Sequence, residues 1–557
     1  MSTYDLESLD LPKLSGFTLR LFTALLDWPL TRALLLPSLL KSGGIYRLRQ
    51  IRLSEDPTLY PFAPAERRAT GPLPTAEVEA SLGKPGRATS FTTVRDYASA
   101  YKSGKVTPVE VAERVLEAVS ASEALEPPLR AFIANDRAEV LRQAQESAAR
   151  YKAGRPLGIL DGVPVAIKDE VDLAPYPSHV GTSFLGTEPA RDCAVAARLR
   201  AAGALLVGKT NMNELGLDPS SFNATFGTTR NPYSLQRDAG GSSCGSAAAT
   251  ASGMVPVSIG CDGGGSIRIP SSLCGLVGLK PTFGRVSEIG AVPLCPSVDA
   301  IGPLGASVED VAVVYGTIAG PDPVDPRSQF QPPVELKGWN DPDLHGLKLG
   351  VFDPWFDHAA PDVVAACRAL LAALVKAGAE ILPIELPGLD AIRIAHAVTI
   401  IGEQAANLQD RREHIRDLGM PTRITWALSA GFNGLDYIQA QRIRTRAINT
   451  FGRAFRQVDA ILSPTTAITA PLIPANGTPG GWSDLSATTE KMRYAFEANL
   501  TGHPAISFPA GYDRDGLPIG MQAMGNYWSE RTLLRIAYAA EQVVERRRPG
   551  VFYQILE

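Results

Sequence analysis

Residues 240–281 read GGSSCGSAAATASGMVPVSIGCDGGGSIRIPSSLCGLVGLKP, and the rest of the chain is interpreted outward from them. Two clusters of small residues, 240–246 and 262–266, are separated by an alanine-rich run and the apolar segment 255–259. Successive glycines before a serine leave several backbone N–H groups free to point in one direction, as an oxyanion requires. A single cluster is well explained by a tight turn beside a buried strand. Two clusters in one unit of βα character favour an active site.

Two better-known motifs match this stretch only in part, and a histidine-based triad is poorly supported as well. Residues 241–245 fit the G-x-S-x-G nucleophile elbow, but that elbow follows a strand, and a polar segment, 233–238, precedes them here. Residues 240–245 have the spacing of a phosphate-binding loop, yet Ser246-Ala247 replaces the required Lys-Ser/Thr pair. None of the histidines lies in a recognisable catalytic context, and each is interpreted as a surface or packed residue. They are His179, His345, His358, His396, His414 and His503.

A serine nucleophile without histidine needs another base, and Lys168 is the candidate. It ends the apolar run of DGVPVAIKDE, residues 161–170. Burial disfavours the ammonium form, so it lowers the pKa of a lysine and lets the neutral amine accept a proton. The alternative interpretation is a lysine that marks a strand end or pairs with Asp169 or Glu170.

Together, GVPVAIKDE, GGSSCGSAAA and GCDGGGSIRIPSSLCGLVGLKPT resemble the amidase signature family of serine hydrolases in order and spacing. The resemblance implies that Ser266 is the nucleophile, Ser242 the bridging serine and Lys168 the ultimate base. It also implies a cis peptide bond between Gly241 and Ser242, and no cofactor or metal ion.

The same resemblance implies which groups surround the reacting atoms. Gly216, in NMNELG, would line the acyl side of the site. The oxyanion hole would be formed by the backbone N–H groups of Gly263, Gly264, Gly265 and Ser266.

Asp262, Arg268 and Ser243 near the serines are interpreted either as structural support or as participants in catalysis. Asp262 and Arg268 flank Ser266, and they are expected to pair across the loop that carries it, which we call the nucleophile loop. Ser243 is expected to hydrogen-bond the bridging serine, Ser242. Cys244 stands where the family commonly has Gly or Ser. Because cysteine is small, we interpret Cys244 as a packed residue and not as a nucleophile.

Composition argues against a nucleic-acid-binding protein and against a secreted one. The chain has 557 residues, with 54 Lys and Arg against 58 Asp and Glu, and this balance offers no basic surface for nucleic acid. Its six cysteines lack a CxxC pair or zinc-like spacing, which predicts reduced thiols in a cytoplasmic protein. The first ten residues carry acids where a secretory signal carries bases, which argues against export.

Residues 17–40 are strongly apolar but are interrupted by charges and prolines, so no stretch reaches the ~18 to 20 apolar residues that span a bilayer. Arg20, Thr23, Asp27 and Thr31 recur at helical spacing, which predicts a helix with a polar stripe and a broad apolar surface on the remaining face. That surface is expected to pack on the catalytic domain, to pair with a second subunit, or to lie on a membrane.

The domain organisation follows from composition and periodicity. Prolines and glycines in residues 55–87 predict a linker, so we divide the chain into a helical extension with linker, 1–90, and a catalytic domain, 91–557. Helix followed by strand recurs in the catalytic domain, which predicts a layered α/β fold. The resemblance specifies a mixed, twisted central sheet with helices on both faces.

Capping residues and the spacing of apolar residues predict individual helices and strands. Thr107 and Glu110 form a capping box around Pro108, and Ser307 precedes an acid at Asp310, so each pair predicts a helix start. A run of arginines at 442–453 is interpreted as a solvated or ion-paired helix face. Further predicted helices are 137–151, 194–201, 363–377 and 436–455, and predicted strands are 204–207, 255–259, 347–352, 460–463 and 505–508.

A narrower resemblance extends to both ends of the chain. Residues 13–30, 95–101, 226–232 and 551–556 look like the plant-type fatty acid amide hydrolases. This implies hydrolysis of N-acylethanolamines and related lipid amides, a homodimer and peripheral membrane association. The alternatives are an amidase of other small or aryl amides, the glutaminase subunit of a tRNA-dependent amidotransferase, and a non-catalytic protein that retains the fold.

Overall fold

The computed structural model describes residues 4–8, 13–83, 86, 90–478 and 480–557. Apolar segments that were predicted as strands form a central sheet, which has eleven strands within these residues. The strands of the described chain are β1 (Leu14–Ser15), β2 (Phe132–Ala134), β3 (Pro164–Lys168), β4 (Leu205–Thr210), β5 (Arg230–Asn231), β6 (Ser234–Asp238), β7 (Val257–Cys261), β8 (Val277–Lys280), β9 (Ile301–Gly305), β10 (Lys348–Val351), β11 (Glu380–Pro383), β12 (Ala460–Pro464), β13 (Trp482–Ser483), β14 (Ala505–Tyr512) and β15 (Pro518–Gly525).

The order of the central sheet is β11-β10-β12-β15-β14-β8-β9-β7-β3-β4-β2. It is mixed, because β3 runs parallel to β4 and β7 while β9 runs antiparallel to β7 and β8. In the register of β3 with β7, Ile167 faces Ile259. Parallel neighbours end at the same edge of a sheet, so Lys168 at the end of β3 lies beside the loop that follows β7.

Helices cover the sheet. They are α1 (Gly16–Asp27), α2 (Pro29–Ser42), α3 (Ile45–Gln50), α4 (Thr75–Ala80), α5 (Val94–Ser103), α6 (Pro108–Glu123), α7 (Arg137–Lys152), α8 (Ala194–Ala201), α9 (Cys244–Ala251), α10 (Arg268–Leu273), α11 (Val308–Ile318), α12 (Asp353–Phe356), α13 (Pro361–Lys376), α14 (Leu389–Asn407), α15 (Met420–Ser429), α16 (Gly434–Ala454), α17 (Leu485–Met492), α18 (Phe496–Thr501) and α19 (Glu530–Glu541).

Both faces of the sheet are packed. Along β7, Val257 and Ile259 join the largest apolar cluster together with α11. Ser258 points the other way, since neighbouring residues of a strand alternate between faces, and its hydroxyl donates to the Ser246 carbonyl oxygen of α9 at 2.9 Å. The α/β class with helices on both faces is confirmed.

The predicted helix starts are confirmed by their caps. The Thr107 hydroxyl accepts from the Glu110 N–H at 3.2 Å, and the Glu110 carboxylate accepts from the Thr107 N–H at 2.7 Å. Ser307 and Asp310 form the same reciprocal pair at the start of α11. Such boxes are recognisable in sequence because both partners lie within one helical turn.

The N-terminal apolar segment differs from its prediction. It forms two helices, because the chain turns at Trp28 and Pro29 begins α2. Its polar stripe does not mark the solvent side either, since Thr23 is only 2% exposed while Phe17 and Leu30 are 77% and 80% exposed. Leu19 and Leu26 pack on α15, and the Thr23 hydroxyl is satisfied within its own helix by the Leu19 carbonyl oxygen at 2.8 Å. No helix in the described ranges combines the length and apolar character needed to span a bilayer.

The predicted linker is mostly irregular but contributes to the core. It contains α4, whose Val78 is buried in the largest apolar cluster. The domain boundary at residue 90 stays a prediction.

The arginine run of α16 is only partly the ion-paired face that was expected. Arg446 pairs with Glu55 at 2.7 Å. Arg444, by contrast, is buried and donates to the Leu59 carbonyl oxygen and, at 2.8 Å, to the Ser297 hydroxyl. These arginines therefore fasten the linker to α16, and the interpretation of Arg444 as a surface residue is wrong.

Candidate active site

Lys168 and Ser242 meet in the interior of the protein. Lys168 ends β3 and donates from Nζ to the Ser242 hydroxyl at 2.8 Å and to the Cys261 carbonyl oxygen at 3.2 Å. Its Nζ also lies 2.7 Å from a carboxylate oxygen of Glu170. Both interpretations of this lysine therefore hold: it ends a strand, pairs with Glu170, and contacts the serine that the resemblance assigns to the relay.

The charge on Lys168 is set by two opposing effects. Burial lowers its pKa, but the Glu170 carboxylate stabilises the ammonium ion, and the net shift of the Lys168 pKa is upward. The expectation of a lowered pKa for Lys168 is therefore wrong, because sequence reasoning weighed burial without the adjacent carboxylate. Asp299 belongs to the same group: its burial and the charge on Glu170 raise its pKa to about 8.

Three side chains in this group are of types that bind metal ions. Ligand atoms of Glu170, Cys261 and Asp299 lie within 4.8 Å of one another, and all three residues are buried. The cation that the structure places among them is the Lys168 ammonium itself. A second cation would have to overcome its repulsion at close range.

The nucleophile loop follows β7 and is held by Asp262. Its carboxylate accepts from the N–H groups of Gly265 at 2.6 Å and Ile267 at 3.0 Å, and pairs with Arg268 Nε at 3.0 Å. The expected pairing of Asp262 with Arg268 is confirmed. Burial alone would raise the pKa of Asp262, but the Arg268 guanidinium outweighs it and holds that pKa well below its usual range.

Arg268 ties this loop to the C-terminal part of the sheet. Its guanidinium is fully buried and also donates to the side-chain oxygens of Gln522 at 2.7 Å and Asn499 at 2.6 Å. A buried guanidinium with partners on several sides fixes the position of everything bound to it. In this ion pair, Asp262 therefore binds the N–H groups of the loop, while Arg268 attaches the loop to Gln522 and Asn499.

The residue before Ser266, Gly265, occupies a position that only glycine fits. It has φ +115°, and a Cβ atom there would lie 2.6 Å from Ile269 Cδ1 and 2.7 Å from Ala495 Cβ. Ser266 itself is partly exposed, whereas the residues on either side of it are buried. Its hydroxyl makes no hydrogen bond to any residue that the structure describes.

The N–H groups assigned to the oxyanion hole are not equivalent. Gly265 already donates to Asp262, so its N–H is not free. Within the described chain, the N–H groups of Gly263, Gly264 and Ser266 have no acceptor. Three of the four predicted donors thus remain available to a ligand.

The bridging-serine loop comes close to the backbone of another segment. The Gly241–Ser242 peptide bond is cis, as the resemblance implied. A Cβ atom on Gly241 would lie 2.2 Å from the Ser220 carbonyl oxygen, so only glycine fits. Ser243 does not bond Ser242 as expected: its hydroxyl donates to the Cys261 carbonyl oxygen at 3.4 Å.

Gly216 lies between the bridging serine and an apolar region. A Cβ atom on Gly216 would lie 3.3 Å from Ser242 Oγ and 3.7 Å from Leu294 Cδ1. Leu294 belongs to a cluster that we call the apolar cluster. Its buried members are Val180, Met212, Leu215, Leu294, Cys295, Val298, Leu408, Leu418 and Trp426.

The six cysteines are packed in the interior, as was expected of Cys244. All six are buried and form no disulfide, and Cys244 is the first residue of α9, where burial raises its pKa to about 11. An un-ionised thiol in this position is a packing residue.

Two features of the site were missed by sequence reasoning. Asp299 reaches Glu170 from the segment before β9, and His396 donates to the Gly263 carbonyl oxygen from α14 at 2.8 Å. Neither residue lies in a motif, and 133 positions separate His396 from Gly263. No local pattern in the sequence reports such contacts.

Comparison with known proteins agrees with this geometry. Residues 113–534 match the model of the Amidase family. A fatty acid amide hydrolase of Medicago truncatula is 38% identical over 99% of this chain and 96% of its own length. A glutamyl-tRNA(Gln) amidotransferase subunit of Symbiobacterium thermophilum is 36% identical over 81% of this chain and 97% of its own length.

A solved structure shows the same likeness in three dimensions. The peptide amidase of Stenotrophomonas maltophilia superposes with a TM-score of 0.72 at 30% identity, covering 83% of this chain and 98% of that one. With the family match over most of the sequence and these identities, the chain belongs to the amidase signature family and is an amide-hydrolysing enzyme.

Proposed function

We propose that the protein hydrolyses N-acylethanolamines and related fatty acid amides to a free fatty acid and an amine, through an acyl-enzyme on Ser266. The observation that carries the mechanism is the buried Lys168–Ser242 hydrogen bond at 2.8 Å, next to a serine loop with free N–H groups. The likeness to plant fatty acid amide hydrolases, which extends over 99% of the chain, supports the substrate class.

The proposed chemistry is a proton relay. The relay starts from the neutral amine of Lys168, which the Glu170 carboxylate disfavours and whose population rises toward alkaline pH. This amine takes the proton of Ser242, which takes that of Ser266 as the Ser266 hydroxyl turns toward it and its oxygen bonds to the amide carbonyl carbon. The relay returns the proton to the amine nitrogen as the C–N bond breaks. Water then gives up a proton to the relay and cleaves the ester, which releases the fatty acid and restores Ser266.

The apolar cluster supports an acyl chain as the substrate group. It begins beside Gly216, which lies within contact distance of Ser242, and it ends at Trp426 on α15. An alkyl chain leaving the carbonyl carbon on this side would meet mainly apolar side chains, with the Trp426 indole and the Cys295 thiol as exceptions. Such surroundings favour a longer chain, because each CH₂ that leaves water contributes about 0.8 kcal/mol.

The exposed helical pair α1–α2 completes the proposal. Its outer face carries large apolar side chains, and its inner face packs on α15, the helix that supplies Trp426 to the apolar cluster. We propose that this outer face rests on a lipid surface from which the substrate is drawn. A homodimer that buries the same residues is the alternative, and it would show in the oligomeric state.

The substrate assignment is tested by kcat/KM across N-acylethanolamines from short to long acyl chains, with Ser266→Ala as the control. We expect kcat/KM to rise with chain length and to vanish in the variant. Activity confined to short or aryl amides would keep the mechanism and overturn the lipid assignment. Release of ammonia from glutamine only in the presence of partner proteins would instead identify one component of an amidotransferase.

A further inference from the structure

His396 contacts the glycine loop that precedes Ser266. It lies on α14, is buried, and its Nε2 lies 2.8 Å from the Gly263 carbonyl oxygen. A carbonyl oxygen only accepts hydrogen bonds, so the hydrogen of the imidazole must be on Nε2. This is the tautomer and the orientation that the contact requires.

The contact fixes more than one atom. The Gly263–Gly264 peptide is trans and planar, so its C=O and N–H point in opposite directions. When the carbonyl oxygen is held on the α14 side, the Gly264 N–H is turned away from α14. That N–H is one of the three groups of the loop that have no acceptor in the described chain.

The ring also packs closely against the next residue of the loop. A Cβ atom on Gly264 would lie 2.8 Å from His396 Cε1, so the imidazole packs directly against the glycine. On the neighbouring glycine, a Cβ atom would lie 2.4 Å from Asp299 Oδ1. The peptide is therefore confined between α14 and the segment that carries Asp299.

We propose that His396 is a positioning residue, which holds the Gly263–Gly264 peptide so that the Gly264 N–H is aimed at the oxyanion of the tetrahedral intermediate. The proposal rests on the proposed function of Ser266 as nucleophile. His396 touches neither the substrate nor the reacting atoms and acts through the Gly263 carbonyl oxygen alone.

Two observations support a neutral, fixed imidazole. Burial lowers the pKa of His396 to about 4, so the ring carries no charge in the pH range of an activity assay. The helix itself is anchored, because Gln404, two turns further on, donates to the Leu215 carbonyl oxygen beside Gly216. One face of α14 thus contacts both the nucleophile loop and the Gly216 segment.

The test compares His396→Leu, which removes the donor, with His396→Gln, whose amide nitrogen reaches nearly the position of Nε2. Loss of a whole oxyanion donor costs about 100- to 1000-fold in rate, and an unanchored donor loses part of that. We expect kcat of His396→Leu to fall on the order of 10- to 100-fold with KM within about twofold, and His396→Gln to recover most of the loss.

Thr399→Val is the matched control. Thr399 is buried on the same helix and accepts a hydrogen bond from Gln441 at 2.9 Å, but it does not contact the glycine loop. We expect this variant to lower Tm as His396→Leu does and to keep kcat. Tm measurements on all three variants separate a general loss of stability from a loss of positioning.

A second readout keeps this test independent of the substrate assignment. The rate at which a fluorophosphonate labels Ser266 needs the nucleophile and the N–H groups but no particular amide, and it should fall in His396→Leu and recover in His396→Gln. A folded His396→Leu protein with unchanged labelling rate and kcat would overturn the proposal. So would a His396→Gln variant as slow as His396→Leu, since the ring and not its N–H would then matter.

Discussion

Around Ser266, charged side chains lie in the interior, whereas on α1 and α2 large apolar side chains lie in solvent. Arg268 and Asp262 are fully buried, while Leu30 and Leu34 are 80% and 79% exposed. In the first region Asp262 and Arg268 pair with each other, as burial of these charges requires. In the second, half of an amphipathic surface is unpartnered, which in a folded protein usually marks an interaction surface.

The difference shows how each region obtains its shape. The nucleophile loop is held by the Asp262 carboxylate within it and by polar contacts that converge on it from α10, α14 and α18. The helical pair packs with its inner side on α15 and, through Leu40, on a separate group of apolar residues that includes members of α14 and α16. Substitutions in the loop should therefore strongly lower kcat and the free energy of unfolding. Substitutions on the outer helical face should change only the binding of that face to lipid or to a second subunit.

The largest expected effect is the loss of Lys168. Lys168→Met removes the proton acceptor of the proposed relay, so we expect kcat to fall on the order of 10⁴-fold. We also expect the variant to lose the rise of kcat toward alkaline pH that a neutral Lys168 base predicts for the wild type. Lys209→Met is the matched control: this equally buried lysine donates to Val171 and Ser178 and does not reach Ser242. A kcat for Lys168→Met within about tenfold of wild type would contradict its role as base.

The next effect contrasts a buried ion pair with an exposed one. Asp262→Ala leaves the Arg268 guanidinium buried and unpaired, and we expect the free energy of unfolding to fall by about 3–5 kcal/mol. Lys13→Met removes an exposed partner of Asp484, whose side chain is 2.9 Å away, and should change it by less than about 0.5 kcal/mol. Denaturant titration measures both, and comparable losses would mean that burial does not distinguish the two pairs.

The sequence predicts those features of each region whose interacting residues lie close together in the chain. Lys168, Ser242 and Ser266 could be singled out as candidates because each lies in a short, characteristic segment, and the structure brings Lys168 and Ser242 into contact. The starts of α6 and α11 were found because a capping box lies within four residues. Where partners are local, the pattern of residues predicts the structure.

Features that depend on distant partners were not predictable. The pKa of Lys168 moves up and not down because Glu170 points back at it, and Asp299 joins them from another strand connection. Thr23 faces inward because α15 lies on that side of α1. A polar residue whose hydroxyl bonds its own helix is compatible with either side, so helical periodicity alone assigned the wrong face.

A pH profile tests the charge balance around Lys168. The Glu170 carboxylate stabilises the ammonium form, so Glu170→Gln should lower the Lys168 pKa and move the rising limb of kcat to lower pH. On that limb, activity at a fixed pH should then increase on the order of tenfold. A limb that stays in place, or moves to higher pH, would show that Glu170 does not control the protonation of Lys168.

The smallest effect is expected on the helical pair, where only the encounter with lipid is at stake. Leu30→Asp with Leu34→Asp replaces two exposed side chains, so the fold and kcat toward a short, dispersed amide should stay unchanged. Each leucine that leaves lipid loses up to ~1.5–3 kcal/mol, and partial insertion loses a fraction of that. We therefore expect KM for a long-chain amide presented in vesicles to rise roughly threefold to tenfold, with weaker sedimentation on the same vesicles. Unchanged sedimentation together with a dimer that dissociates in the variant would assign this face to a second copy of the chain.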